Sequence, residues 1–226
     1  MDQARLWIVI PAFNEATVIA QVVRQVKTLG HGVVVVDDGS HDETAAQAHH
    51  AGATVLSHPF NLGQGAALGT GIEYALQEGA EFVATFDADG QHRIEDLQRL
   101  IEALKKEKAD IALGSRFLEK TQSITFWRKT VLKLAVLLTW ITTGIRLTDA
   151  HNGLRVMTAD AARKIRITQN GMAHASEIVE LIKRHKLRFI EVPVTVLYTD
   201  YSLKKGQPLA NALNIVFELL TGRLGR

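Results

Sequence analysis

Strand-length apolar runs alternate with helix-length amphipathic ones through the first half of the chain. That alternation limits the available folds more than any other feature. Leu6–Ile10 is a continuous apolar run, as expected of a strand covered on both faces, and Pro11 ends it. Val18, Ile19, Val22, Val23 and Val26 follow at helical spacing, with Asn14 the expected N-cap. Val33–Val36, Thr54–Ser57, Phe82–Phe86 and Ile111–Leu113 read as four further strands. Between them, helices are expected from about Glu43, over Ala66–Leu76, and along Ile94, Leu97, Leu100, Ile101 and Leu104. Strand–helix alternation of this kind requires right-handed crossovers and a mostly parallel sheet flanked by helices, an α/β fold.

Open sheets of that class bind ligands at the carboxyl ends of their strands. The segments leaving strands one, two and four are Pro11-Ala12-Phe13-Asn14-Glu15, Asp37-Asp38-Gly39-Ser40 and Asp87-Ala88-Asp89-Gly90-Gln91. The alternation alone therefore gathers three acidic segments on one edge.

In the last segment, two carboxylates and an amide oxygen within five residues make a hard, oxygen-rich donor set suited to Mg²⁺ or Mn²⁺. Taken alone, the same residues read equally well as a solvated turn. Their company on one edge favours the metal. In the first segment Phe13 could stack near a base or ribose and Glu15 could accept from sugar hydroxyls, although a helix cap explains Asn14 and Glu15 as fully. In the second, Asp38 could accept from the imino N–H of a base while Asp37 ties down the loop. The alternative there is an Asx turn capped by Ser40 or Asp42. Asn61-Leu62-Gly63-Gln64-Gly65-Ala66-Ala67 follows the third strand, so it is not a dinucleotide fingerprint. Its glycines either let backbone approach a ligand or start a helix.

The second half is less regular. Phe126–Leu147 is apolar, with Arg128, Lys129, Lys133 and Arg146 interspersed. Ser176–His185 reads as a helix, and Phe189–Val192 and Val194–Tyr198 as extended segments joined at Pro193. Leu209, Leu213, Val216, Phe217, Leu220 and Leu224 fall on one helical stripe. The longest apolar stretch, Leu134–Ile145, is well short of the ~20 residues of a membrane-crossing helix. Nothing at the start reads as a signal peptide. A chain without cysteine has no disulfides, thiolate metal sites or cysteine nucleophile. With 26 basic and 24 acidic residues it is too evenly charged to be built mainly around nucleic acid. The nine histidines show no paired metal spacing; His92, beside Gln91, is the one placed to matter.

Five motifs in order resemble the family 2 inverting glycosyltransferases of GT-A fold. They are Pro-x-Phe-Asn-Glu, Val-Val-Asp-Asp-Gly-Ser, Asn-x-Gly-x-Gly, Asp-Ala-Asp-x-Gln and Gly114-Ser115-Arg116. Within the family the chain is most similar to the dolichyl-phosphate mannosyltransferase and polyprenyl-phosphate glycosyltransferase branch. The match is strong from Leu6 to Phe117 and looser through Asp149-x-x-Asn152-Gly153-Leu154-Arg155, Glu177 and Tyr201-Ser202-Leu203-Lys204. The resemblance implies one Rossmann-like GT-A domain, with residues 1–117 the nucleotide-sugar half and 118–226 the acceptor half. It implies that Pro11, Ala12, Phe13, Glu15, Val36 and Asp38 hold the nucleoside of a UDP- or GDP-linked sugar, with Gly63 and Gly65 in support. Asp87, Ala88 and Asp89 would meet the diphosphate, and Asp87, Asp89 and Gln91 the metal. Arg116 would act near the transferred sugar, and Arg155 and Lys204 on the acceptor side.

A lipid phosphate is already ionised and needs cations rather than a base; Arg116, Arg155, Lys204 and Lys205 are available. A hydroxyl acceptor needs a general base, for which Asp149 or Glu177 is the candidate. Three functions follow: a polyprenyl-phosphate glycosyltransferase, a transferase adding sugar to a glycan hydroxyl, and a non-catalytic nucleotide-sugar-binding subunit. The complete Asp87, Asp89, Gln91 and Arg116 set argues against the third. The lipid reading expects a cytoplasmic protein peripheral on the membrane, Trp127 and Trp140 serving as interfacial anchors, with a small membrane-protein partner. Buried core or a homodimer seam is the alternative for both apolar stripes.

Overall fold

Residues 5–118, 136, 140, 144–149 and 152–197 are described by a computed structural model. The expected alternation is realised as β1 (Leu6–Ala12), α1 (Ile19–Lys27), β2 (Gly32–Asp37), α2 (Thr44–His50), β3 (Thr54–Ser57), α3 (Gln64–Gln77), β4 (Phe82–Thr85), α4 (Ile94–Glu107) and β5 (Ile111–Ser115). The chain continues with β6 (Arg155–Thr158), α5 (Ala159–Lys164), α6 (His174–Arg184) and β7 (Phe189–Pro193). The seven strands form one sheet in the order β3-β2-β1-β4-β6-β5-β7, so strands from both halves of the chain share it.

Side chains alternate across this sheet, as the two-residue period of a strand requires. Ile8 and Ile10 pack with Val22, Val23, Leu97 and Leu100 on the face covered by α1 and α4. Val9 and Val34 pack with Leu68, Ile72, Ile178 and Ile182 on the face covered by α3 and α6. Both faces being covered is why β1 and β2 read as unbroken apolar runs.

The sheet is parallel except for β6, which runs antiparallel to both β4 and β5. Its amino end therefore lies at the carboxyl edge of its neighbours. Arg155 opposes Thr85 near the end of β4 and Leu113 in β5. A four-residue strand opening on an arginine carries little periodic signal, and the sequence pattern does not reveal it.

The start of α1 departs from expectation. The helix begins at Ile19, and Asn14 is not its cap: it adopts a left-handed backbone conformation with φ 52°. Its Oδ1 accepts from the His41 N–H at 2.9 Å, and its own N–H donates to Ser40 Oγ at 2.9 Å. Bonds to a neighbouring loop thus replace the local cap. Beyond β7, Val196 forms an isolated antiparallel bridge with His92.

Lys204, Lys205, Tyr201–Leu203, Arg128, Lys129, Lys133, Trp127 and the Leu209–Leu224 stripe lie outside the described residues. Trp140 is partly exposed, with the Arg146 guanidinium 4.6 Å from its ring centre. Among the described residues no helix is long and apolar enough to cross a membrane.

The glycines at the start of α3 serve a chain-to-chain contact. Gly63 sits at φ +104°, and a side chain there would overlap the Asn170 carbonyl; at Gly65 one would overlap the Gln169 carbonyl. The closeness lets Gly65 N–H donate to Asn170 O at 2.8 Å. Further along α3, Gly69 has only the Ile167 carbonyl at 4.0 Å. Gly65→Ala should therefore lower the unfolding midpoint, whereas Gly69→Ala should raise stability by about 0.5–1 kcal/mol through helix propensity. Thermal unfolding of the pair tests this: equal effects would contradict the packing.

Candidate active site

The loops leaving β1 and β2 are stitched together by side chains that accept from backbone. Glu15 N–H donates to Thr44 Oγ1 at 2.7 Å, and Ala16 N–H to Asp42 Oδ2 at 3.2 Å. Pro11 and Ala12 lie opposite Val36 and Asp37 in the β1–β2 ladder, and Asp38 N–H donates to Ala12 O at 2.8 Å. Phe13 stays 37% exposed, in a T-shaped contact with His41. Glu15 is buried. The Val36 side chain is fully buried under α3, with Gly71 its close neighbour, so only its backbone faces the edge.

Asp38 is bonded to the chain through both carboxyl oxygens. Its Oδ1 accepts from Leu62 N–H at 3.0 Å and lies 2.7 Å from His58 Nδ1, and its Oδ2 accepts from Gly63 N–H at 2.7 Å. His58 is held in turn by Thr70 Oγ1 at 3.0 Å through Nε2. Asp38 therefore anchors the Leu62–Gly63 loop, and its neighbour Asp37 accepts from Ser40 N–H at 3.3 Å. Nothing in the sequence marks His58 beyond its place directly after β3, at the carboxyl edge of the sheet.

At the end of β4, Asp87 meets several parts of the chain. Its Oδ2 accepts from His92 Nε2 at 2.8 Å and its Oδ1 from Gln64 Nε2 at 3.3 Å. Gly153 packs against the carboxyl group so closely that a side chain there would overlap it. Burial opposes ionisation of Asp87. The hydrogen bond from His92 and the positive field of His92, Arg155 and His174 outweigh it and hold the carboxyl below its usual range. The side chain still keeps 28% of its surface.

Asp89 behaves oppositely. Burial, then the charge of Asp87 and more weakly that of Glu15, push it up to about 6, although Gln91 N–H donates to it at 3.0 Å. Among the described residues no three His, Asp or Glu side chains converge as a ready-made metal cage. Two neighbouring carboxylates and the Gln91 amide nevertheless fit a hard divalent cation that completes its shell with phosphate oxygens. Ala88 points into the core between them.

The cationic side of the edge comes from β5 and β6. Arg116 is buried, and its Nε donates to Asp149 Oδ2 at 2.6 Å. Asp149 and Thr148 are fixed from β7, where Glu191 accepts from both backbone N–H groups and from the Thr148 hydroxyl. Arg155 is 4% exposed; burial lowers its pKa while the charges of Asp87 and Asp149 oppose that, and its Nη1 makes no hydrogen bond. Glu177 does not join this edge. It accepts from Thr168 and Gln169 N–H and caps that turn. His92, the histidine beside Gln91, is buried.

Residues 7–166 match the glycosyl transferase family 2, and the chain belongs to that family. It is a glycosyltransferase of GT-A fold, its central sheet mixed through β6. It is 34% identical to an uncharacterized protein of Methanocaldococcus jannaschii, over 99% of this chain and 94% of that one. It is 28% identical to the UDP-N-acetylglucosamine–dolichyl-phosphate N-acetylglucosaminyltransferase of Methanococcus voltae, over 100% of this chain and 99% of the other. Its fold is that of glucosyl-3-phosphoglycerate synthase from Mycobacterium tuberculosis, solved with Mn²⁺, uridine diphosphate and glucosyl-3-phosphoglycerate. That likeness has a TM-score of 0.71 at 17% identity, covering 96% of this chain and 79% of that one.

The raised Asp89 carboxyl makes a pH prediction for the metal-free protein. Well below the ordinary carboxyl value of 3.8 the group is neutral folded and unfolded, and it costs nothing. As pH rises from 4 to 6 the unfolded chain ionises it first, so stability falls, by on the order of 2–3 kcal/mol once both states are charged. Asp89→Asn should therefore unfold at a higher temperature than wild type at pH 7.5 in EDTA, with the difference closing near pH 4. A variant less stable than wild type at pH 7.5 would contradict the cost of charging the buried Asp89.

Proposed function

We propose that this chain transfers a sugar, with inversion, from a UDP- or GDP-linked donor to the phosphate of a polyprenyl phosphate. The observation that carries the reading is that both acids offered as general bases are engaged: Asp149 by Arg116, and Glu177 by the Thr168–Gln169 turn. An ionised phosphate oxygen needs no base. It forms the bond to the anomeric carbon as the bond to the diphosphate breaks, and no proton leaves the nucleophile. The dolichyl-phosphate acceptor named for the full-length Methanococcus voltae relative supports the same choice.

Each group then has a part. Pro11, Ala12, Phe13 and Glu15 border the nucleoside, with Asp38 and the glycines Gly63 and Gly65 shaping the loop beside it. Asp87, Asp89 and Gln91 would hold Mg²⁺ or Mn²⁺, which offsets charge on the departing diphosphate. Asp149 fixes the plane of the Arg116 guanidinium, whose fork suits phosphate oxygens. Lys204, outside the described residues, is proposed to draw in the acceptor phosphate. A lipid acceptor would place the enzyme peripherally on the cytoplasmic face of a membrane.

A second reading has one observation in its favour. The synthase sharing this fold is solved with glucosyl-3-phosphoglycerate, a sugar on the hydroxyl of a phosphorylated acid. In that reading Asp149 serves as base, and Arg116 binds the acceptor's phosphate.

Incubation with labelled nucleotide sugars and either polyprenyl phosphate or 3-phosphoglycerate separates the two. Metal-dependent label in the organic phase is expected. Label only in a water-soluble product would overturn the lipid reading. Arg116→Lys should cost about a hundredfold to a thousandfold in rate, the scale of one lost charge-assisted contact in the transition state. Single-turnover kinetics measure it; a loss below tenfold would remove Arg116 from the chemistry.

A further inference from the structure

Asp87 is the only acid of its loop whose carboxyl group meets an imidazole, and that imidazole is locked in place. His92 is 7% exposed. Its backbone is in an antiparallel bridge with Val196, and the adjacent Leu197 N–H donates to Gln91 O at 2.9 Å. Its ring stands edge-on to Phe86, centres 5.4 Å apart. Nε2 lies 2.8 Å from Asp87 Oδ2, whereas Nδ1 is buried without a hydrogen-bond partner. An acceptor-only carboxylate requires the proton on Nε2, so the ring acts on Asp87 through that one N–H.

We propose that His92 is a positioning residue for the metal-facing carboxylate: its Nε2–H holds Asp87 Oδ2 and leaves the remaining lone pairs of Asp87 aimed at the strand-end edge. This rests on the metal reading of Asp87, Asp89 and Gln91 above. Outer partners of this kind set ligand orientation, and their loss typically weakens metal binding 10- to 100-fold. The opposite wall gives Asp87 little else to settle on. Gln64 donates to Oδ1 at 3.3 Å, and Gly153 contributes shape but no hydrogen bond to the carboxyl group.

The test uses three substitutions that differ in where they place a donor. Glutamine puts its amide nitrogen near the site of Nε2. Asparagine puts it near Nδ1, too short to reach Asp87. Phenylalanine fills the volume and donates nothing. Binding of Mn²⁺ alone to the full chain is followed by electron paramagnetic resonance of the free ion, with thermal unfolding as a control for folding. His92→Phe and His92→Asn should weaken Mn²⁺ binding about 10- to 100-fold, and His92→Gln should stay within about threefold of wild type. Should His92→Phe fail to fold, the glutamine–asparagine contrast still decides. Wild-type affinity in His92→Asn, or His92→Gln as weak as His92→Asn, would overturn the role of His92 alone. A wild-type chain that binds no Mn²⁺ would overturn the metal reading and this role with it.

Discussion

The charge on Asp87 needs partners, because a carboxylate drawn partly out of water is costly unless hydrogen bonds and opposite charge replace its hydration. This structure supplies them from separate places in the chain: His92 just downstream, Gln64 at the head of α3, and Arg155 at the head of β6. The contact with Gly153 requires β6 to run against its neighbours, since only then does its amino end reach the edge where β4 ends. The single antiparallel strand is therefore what turns a strand-end acid into a held one. Asp89, two residues on, lacks those partners, and burial and then the charge of Asp87 push its carboxyl up instead.

The same division of labour appears at the end of β2. Asp38 spends both carboxyl oxygens on the Leu62–Gly63 backbone and His58, which ties the end of β2 to the head of α3. Gly63 and Gly65 complete the tie from the other direction by admitting the Gln169–Asn170 backbone. A loop fixed from two sides costs little entropy when a ligand settles against it, which is the physical content of preorganisation. Phe13, by contrast, keeps an exposed ring.

Across the sheet edge the charge changes sign. Asp87, Asp89 and Glu15 lie toward β1 and β4, while Arg155 and the Arg116–Asp149 pair lie toward β6 and β5. Buried ion pairs add little net stability, but breaking one by removing a partner costs several kcal/mol. Arg116 and Asp149 therefore cannot be varied independently. An Asp149 amide variant would report on the arginine's position as much as on any proton transfer.

The alternation of apolar runs was sufficient to place Glu15, Asp38 and the Asp87–Gln91 segment on one edge, because strand direction and right-handed crossovers leave few other arrangements. It also sufficed for the elements from β1 to β5, whose periodicities are strong. It did not reveal β6, whose four residues carry no period, nor that Asn14 would abandon the helix start for the Ser40 hydroxyl and the His41 N–H. Nor did it show which donors each acid meets. Asp38, Asp149 and Glu177 look alike as letters, and each is engaged by partners 24, 33 and 9 residues away. Local pattern is read from the order of residues, whereas the state of a carboxylate depends on which donors and charges lie within a few ångströms. Only the folded chain decides that.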